Sequence, residues 1–308
     1  MSTVVRSTPT LDDIARPSGG FAMVAMDQRE SLRTMFADAG AGPAGDGDLV
    51  AFKTAVARSL GPLASGFLID RTFGFAEVRA GMLPARCGLI LAADALEQAP
   101  GEPVEETALD EVVAAPGFDL TGVRAIKLLL LWRRDAHRDR RAEMARRFIG
   151  VAADRGVLSV LEPVVRATPG ELSAGRWDED RAVLEAAREL SPLGPSLYKA
   201  QVPRRGKGTP EQLRRASEDL GSAVAGPWVV LSQGVDRDDF LPAVRAACRG
   251  GASGFLAGRA LWSDVVGRPA LDRALSEISV PRLERLVEVV DLEATPWRAA
   301  AGHRGARP

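Results

Sequence analysis

The chain has 308 residues, 46% hydrophobic and 26% charged, with 40 basic and 41 acidic side chains and a formal net charge of -1. That balance describes a soluble globular protein and gives no reason to expect nucleic acid or an anionic membrane as partner. Cys87 and Cys248 alone make no disulfide framework, so a reducing cytoplasm is expected.

The N-terminal stretch "MSTVVRSTPTLDDIARPSGG" lacks the apolar core of a signal peptide, and no apolar run reaches the ~20 residues of a membrane helix. The two histidines lie in the charged run "RRDAHRDRR" (His137) and in the tail (His303). A zinc site or a histidine-based triad needs more than these, so neither a metal nor another cofactor is expected.

In chain order, strands are read at 21–27, 66–70, 87–94, 125–132, 158–165, 196–203, 228–234 and 254–262. Helices are read at 49–64, 139–156, 178–190, 209–224 and 236–251, then at "PALDRALSEI" and "PRLERLVEVVDLEA". Thr209 and Pro210 are the expected N-cap and first residue of the fourth of these helices. Eight near-continuous apolar strands, most followed by a helix, predict a single (β/α)8 TIM barrel of class α/β over residues 1–308. The segment 1–20 precedes the barrel, and the tail 296–308 reads as disordered. An open doubly wound sheet is the alternative, but no GxGxxG follows the first strand.

Barrel enzymes draw their chemistry from the C-terminal ends of the strands. Here those ends carry Asp27, Gln28 and Arg29; Asp70; Asp94; Lys127; Glu162; Lys199; Ser232, Gln233 and Gly234; and Gly258 and Arg259. Asp94 opens "DALE", which reads as a capping box, and Asp236 reads as another cap. Asp27 and Asp70 read equally well as caps. Lys127 has a snorkelling reading. Lys199, inside "LYKAQVP", is harder to dismiss.

Two lysines and a glutamate on three successive strands would share one cavity if they point inward. Mutual ion pairing is one reading. Amine catalysis is the other: Lys127 is the second cation that makes Lys199 nucleophilic, Lys199 attacks a carbonyl to form a Schiff base, and Glu162 shuttles protons. Loops after the last two strands are the recurrent phosphate site of such barrels, so Ser232, Gly234, Gly258 and Arg259 read as phosphate ligands. Together these point to an aldolase acting on a sugar phosphate.

The stretches "SGGFAMVAMDQRESLRTMF", "AIKLLLLWR", "LEPVVR", "LYKAQVP", "GKG", "PWVVLSQGVD" and "GASGFLAGRALW" resemble the class I ketose-1-phosphate aldolases, tagatose-1,6-bisphosphate aldolases among them. Within that group they are most similar to the sulfofructosephosphate aldolases. The resemblance implies Lys199 as the Schiff-base lysine, Glu162 as proton shuttle, and Lys127 and Asp27 in support. It implies a 1-phosphate held by Ser232, Gly234, Gly258 and Arg259, with a homo-oligomer as the working form. The implied reaction cleaves 6-deoxy-6-sulfofructose 1-phosphate to dihydroxyacetone phosphate and 3-sulfolactaldehyde. Gln28 and Arg29, helped by Arg166, are placed at the sulfonate end. Gln233 and Gln201 depart from the expected serine and acidic residue, and Gln201 is expected to share the inward face with Lys199. A tagatose or fructose 1,6-bisphosphate enzyme, or a non-catalytic sugar-phosphate-binding barrel, are the competing readings.

Overall fold

The computed structural model describes residues 9–97 and 104–302. Among the described residues ten strands form: β1 (Phe21–Met26), β2 (Gly66–Ile69), β3 (Gly88–Ala92), β4 (Asp94–Glu97), β5 (Glu106–Leu109), β6 (Val123–Trp132), β7 (Leu158–Val165), β8 (Leu197–Ala200), β9 (Trp228–Val230) and β10 (Gly254–Ala257). Eight of them close a parallel barrel in the order β1-β10-β9-β8-β7-β6-β3-β2. The remaining two, β4 and β5, pair as an antiparallel hairpin beside it.

The strands are apolar along their length because both faces are covered, by the barrel interior and by the outer helices. Every residue of β1, β7 and β8 is buried. The lower interior is a dry layer that includes Met23, Leu68, Ile90, Ala125, Val160, Leu197, Val229 and Leu256. Leu11 and Ile14, on a short 3-10 helix, plug its floor. At the closing seam a Cβ on Gly254 would lie 2.0 Å from the Phe21 carbonyl oxygen, and its φ is +134°, so only glycine fits where the first and last strands meet.

The outer helices include Asp46–Leu60, Arg138–Asp154, Glu179–Leu190, Pro210–Ala223, Arg237–Arg249 and Val280–Glu293. Thr209 caps its helix as expected, accepting from the Gln212 amide while Gln212 Oε1 accepts from the Thr209 amide. Three expectations need correction. "DALE" is a strand rather than a helix start, because Asp94 turns inward and the stretch pairs with 106–109. The last barrel strand stops at Ala257, and Arg259–Trp262 is helical. The tail is not featureless: Trp297–Gly302 is helical, with Trp297 donating to Asp12 and packing against the barrel floor. Residues 303–308, with His303, lie outside the described residues. Among the described residues no helix is long and apolar enough to cross a membrane.

Candidate active site

Above the dry layer the barrel interior turns polar. Lys127 stands on β6, opposite Ala92 of β3 and Val160 of β7. Glu162 follows on β7, and Lys199 lies on β8 opposite Val229 of β9. All three are buried, at 1%, 5% and 4% exposure. Groups so costly to desolvate persist only when paired, and these are paired with one another. Glu162 lies between the two ammonium groups, its Oε1 2.7 Å from Lys199 Nζ and its Oε2 2.8 Å from Lys127 Nζ.

The lysines differ in their remaining partners. Lys127 Nζ also donates to Asp27 at 2.7 Å and to Asp94 at 3.0 Å, so three carboxylates surround it. Burial disfavours its ammonium, but Asp27, Asp94 and Glu162 outweigh that and raise its pKa well above the usual lysine value. Burial also opposes the Asp27 carboxylate, but Lys127 and Lys199 hold its pKa well below the usual range. Among the described residues Lys199 pairs with one carboxylate, Glu162, and it lines the cavity. Lys127 is therefore not the bare repelling cation that sequence reading suggested. Its charge is compensated, and what the arrangement offers Lys199 is an adjacent proton acceptor.

Asp94 was missed as a site residue. It is 2% exposed, accepts from Lys127 and from the Leu129 amide, and its backbone oxygen accepts from Arg29. It ends its strand region as Asp27 and Asp70 end theirs, and that recurrence was the available signal. Asp70 does cap locally, accepting from the amides of Thr72 and Phe73, and its other oxygen pairs with the fully buried Lys53. Asp236 occupies its helix N-cap position, but its side chain pairs with Lys207.

These groups open into a cavity of about 620 Å³ at the C-terminal mouth of the barrel. Asp27, Gln28, Arg29, Lys127, Glu162, Arg166, Lys199, Ser232, Gln233, Gly258 and Arg259 line it; Gly234 does not. Leu96, Val104, Leu129 and Leu231 form an apolar wall. Ser232 Oγ accepts weakly from the Gly258 amide, at 3.4 Å. A Cβ on Gly258 would sit 2.7 Å from the Ala25 carbonyl oxygen and 3.0 Å from Gln28 Nε2, so the loop after β10 approaches β1 only through a glycine.

Gln201 does not line the cavity. Its Oε1 accepts from the Val165 amide at 2.7 Å and its Nε2 donates to Glu179 at 3.3 Å, tying the end of β8 to β7 and to the helix Glu179–Leu190. It leaves the charge around Lys199 untouched. Arg166 does line the cavity, but not beside Arg29. The charges acting on it are Glu179, Arg133, Arg205 and Arg259, whereas Arg29 lies against Asp70 and Asp94. Strand order agrees, since β7 lies directly across the barrel from β1, the strand that leads into Arg29.

The chain is similar to known proteins. A family model described as "DeoC/LacD family aldolase" matches residues 21–264. "Tagatose 1,6-diphosphate aldolase 2" of Streptococcus pyogenes serotype M1 is 25% identical, over 91% of this chain and 93% of that protein. The solved fructose-bisphosphate aldolase of Plasmodium falciparum superposes with a TM-score of 0.68 at 13% identity, covering 92% of this chain and 93% of its own. An archaeal fructose-1,6-bisphosphate aldolase, captured with its catalytic Lys covalently bound to a carbinolamine intermediate, superposes with a TM-score of 0.56 at 18% identity, covering 91% and 98%. The chain belongs to the DeoC/LacD family of aldolases.

Proposed function

We propose that the protein is a Schiff-base aldolase cleaving 6-deoxy-6-sulfofructose 1-phosphate, with Lys199 as the nucleophile. The observation that carries the lysine assignment is the contrast between the two amines. Lys127 is held charged by three carboxylates, while Lys199 has one partner and faces the cavity. Lys199 passes a proton to Glu162 and its freed amine attacks the C2 carbonyl of the ketose. Glu162 then protonates the carbinolamine hydroxyl, which leaves as water, giving an iminium. The Glu162 carboxylate next takes the C4 hydroxyl proton. The C3–C4 bond breaks, its electron pair enters the iminium as an enamine, and 3-sulfolactaldehyde departs. Protonation at C3 and hydrolysis release dihydroxyacetone phosphate and restore the amine. Lys127, fixed by Asp27 and Asp94, keeps a positive charge beside the oxygens that gain electrons.

The far-end charge supports a sulfonate. Arg29 is the guanidinium there, and Asp70 and Asp94 approach it at 3.7 and 3.8 Å. An end so offset suits a monoanion better than a dianion. Half-buried Gln28, whose Oε1 is buried without a partner, supplies a neutral amide beside it. A tagatose or fructose 1,6-bisphosphate substrate is the second reading, favoured by the S. pyogenes relative. Comparing kcat/KM on the sulfo and the bisphosphate ketoses decides between them; equal values defeat the sulfonate assignment. Borohydride capture followed by peptide mass analysis tests the chemistry, and no adduct on Lys199 with any of these ketoses refutes it.

A further inference from the structure

The charged side chains of the site belong to a longer row. From Lys199 and Glu162 it passes through Lys127 and Asp94 to Arg29, then to Asp70 and Lys53, and positive and negative groups alternate throughout. At the outer end Lys53 sits on the helix Asp46–Leu60, fully buried and away from the cavity lining. The chemistry proposed above makes no use of it. Asp70, between Lys53 and Arg29, is well supplied with donors. Its Oδ1 accepts from the amides of Thr72 and Phe73 at 2.9 and 3.0 Å, and its Oδ2 pairs with Lys53. Arg29 stands off: its Nε is 3.7 Å from Asp70 Oδ1, buried, and without a hydrogen-bond partner among the described residues. A guanidinium beside a buried carboxylate gains by closing on it, since charge-assisted hydrogen bonds are the strong ones. Here Lys53 has already compensated the carboxylate. Burial lowers the Lys53 pKa while the Asp70 charge acts to raise it.

We propose that Lys53 is a positioning residue: by neutralising Asp70 it leaves Arg29 free to face the cavity and take the anionic group at C6 of the substrate. The assignment rests on the aldolase reading above and deepens it at the Arg29 end. With Asp27 counted on Lys127, four cations meet four carboxylates, so the ionised cluster carries no net charge. Taking the charge from Lys53 leaves one carboxylate uncompensated at Asp70, and the cation standing 3.7 Å away is Arg29. A buried charge left unpaired is costly, so the guanidinium turns to Asp70 and is lost to the ligand. Lys53 thus tunes selectivity through charge, from outside the cavity.

Three variants test this. Lys53→Met removes the charge at similar length. Lys53→Gln removes the charge but keeps a donor for Asp70, and it carries the test if the methionine variant fails to fold. Lys53→Met combined with Asp70→Asn removes both charges. In the single variants KM for the ketose 1-phosphate with an anion at C6, sulfonate or phosphate, rises roughly tenfold with kcat nearly unchanged, as for the loss of one charge-assisted contact. KM for fructose 1-phosphate, which carries a hydroxyl at C6, stays at its wild-type value. The double variant returns toward wild type. Phenylglyoxal modification, followed on the Arg29 peptide by mass analysis, reads the same event without turnover. Arg29 reacts more slowly in the single variants and recovers in the double, while Arg166, which also lines the cavity, reacts alike in all of them. Unchanged Arg29 reactivity in the single variants overturns the proposal, as does an equal rise in KM for both classes of ketose, or a double variant that recovers nothing. If the wild type cleaves none of these ketoses, the aldolase reading falls, while phenylglyoxal still decides whether Lys53 holds Asp70 off Arg29.

Discussion

Asp94 accepts from Lys127 Nζ at 3.0 Å while its backbone oxygen accepts from Arg29, so one residue touches both the fixed ammonium and the Arg29 guanidinium. Asp94→Asn removes one of the three charges that hold Lys127 protonated. Breaking a buried charge cluster by removing a partner costs about 3–5 kcal/mol. Stability therefore falls at neutral pH, read from urea unfolding. The raised Lys127 pKa contributes stability below the ordinary lysine pKa of about 10.4 and loses it as pH climbs through the folded value. The fall in stability between neutral and high pH is therefore expected to be smaller in the variant than in the wild type. Identical unfolding curves for wild type and variant at neutral and high pH would contradict this account of Lys127.

Among the described residues, Glu162 is the one carboxylate that pairs with both amines. Glu162→Gln keeps the shape but cannot accept a proton, so kcat is expected to fall about 10²- to 10⁴-fold, with borohydride capture slowed as well. Single-turnover kinetics separates the two steps. A variant with unchanged kcat would remove Glu162 from the proton path.

Acid stability follows from Asp27. Its folded pKa lies below the unfolded value, so it stabilises the fold above about pH 4 and loses that contribution as pH falls toward the folded value. Asp27→Asn is expected to show a shallower decline of unfolding free energy between about pH 5 and about pH 3 than the wild type. Parallel declines would mean that Asp27 ionises alike in both states.

At Gly258 the space for a side chain is missing. Gly258→Ala forces its Cβ against the Ala25 carbonyl and Gln28, an overpacking that costs about 1–3 kcal/mol and shifts the loop before Arg259. KM for the phosphorylated ketose is expected to rise more than kcat falls. Wild-type KM in the alanine variant would show that the loop relaxes without disturbing the site.

Gln201→Ala separates architecture from chemistry. It leaves the buried Val165 amide without its acceptor, a loss of about 1–3 kcal/mol in unfolding free energy, with KM and the sulfo/phospho preference unchanged. A changed preference would return Gln201 to the substrate.

The comparison of Gln201 with Lys199 shows what a linear reading captures. Both lie two residues apart at the end of one apolar strand, and period-two alternation puts them on one face. That rule ends with the strand, at Ala200, and Gln201 turns to its neighbours instead. The eight barrel strands were readable because burial on both faces leaves an unbroken apolar signal. The β4–β5 hairpin was not, because "DALE" matches a capping box locally and its strand pairing is a contact across intervening chain. Lys53 was invisible for a similar reason: a lysine on an amphipathic helix looks solvated until Asp70 is found beside it. Arg166 was read beside Arg29 because only the strand order shows that β7 and β1 face each other across the barrel.

The seam between β1 and β10 has a consequence for biosynthesis. Asp27 is among the first barrel residues to leave the ribosome, and Gly258 and Arg259 are among the last. A nascent chain halted before residue 254 already holds Lys127, Glu162 and Lys199, but its first strand lacks one flanking partner and the cavity lacks a wall. The amines of Lys127 and Lys199 thus gain the last wall of their cavity only when the final strand docks.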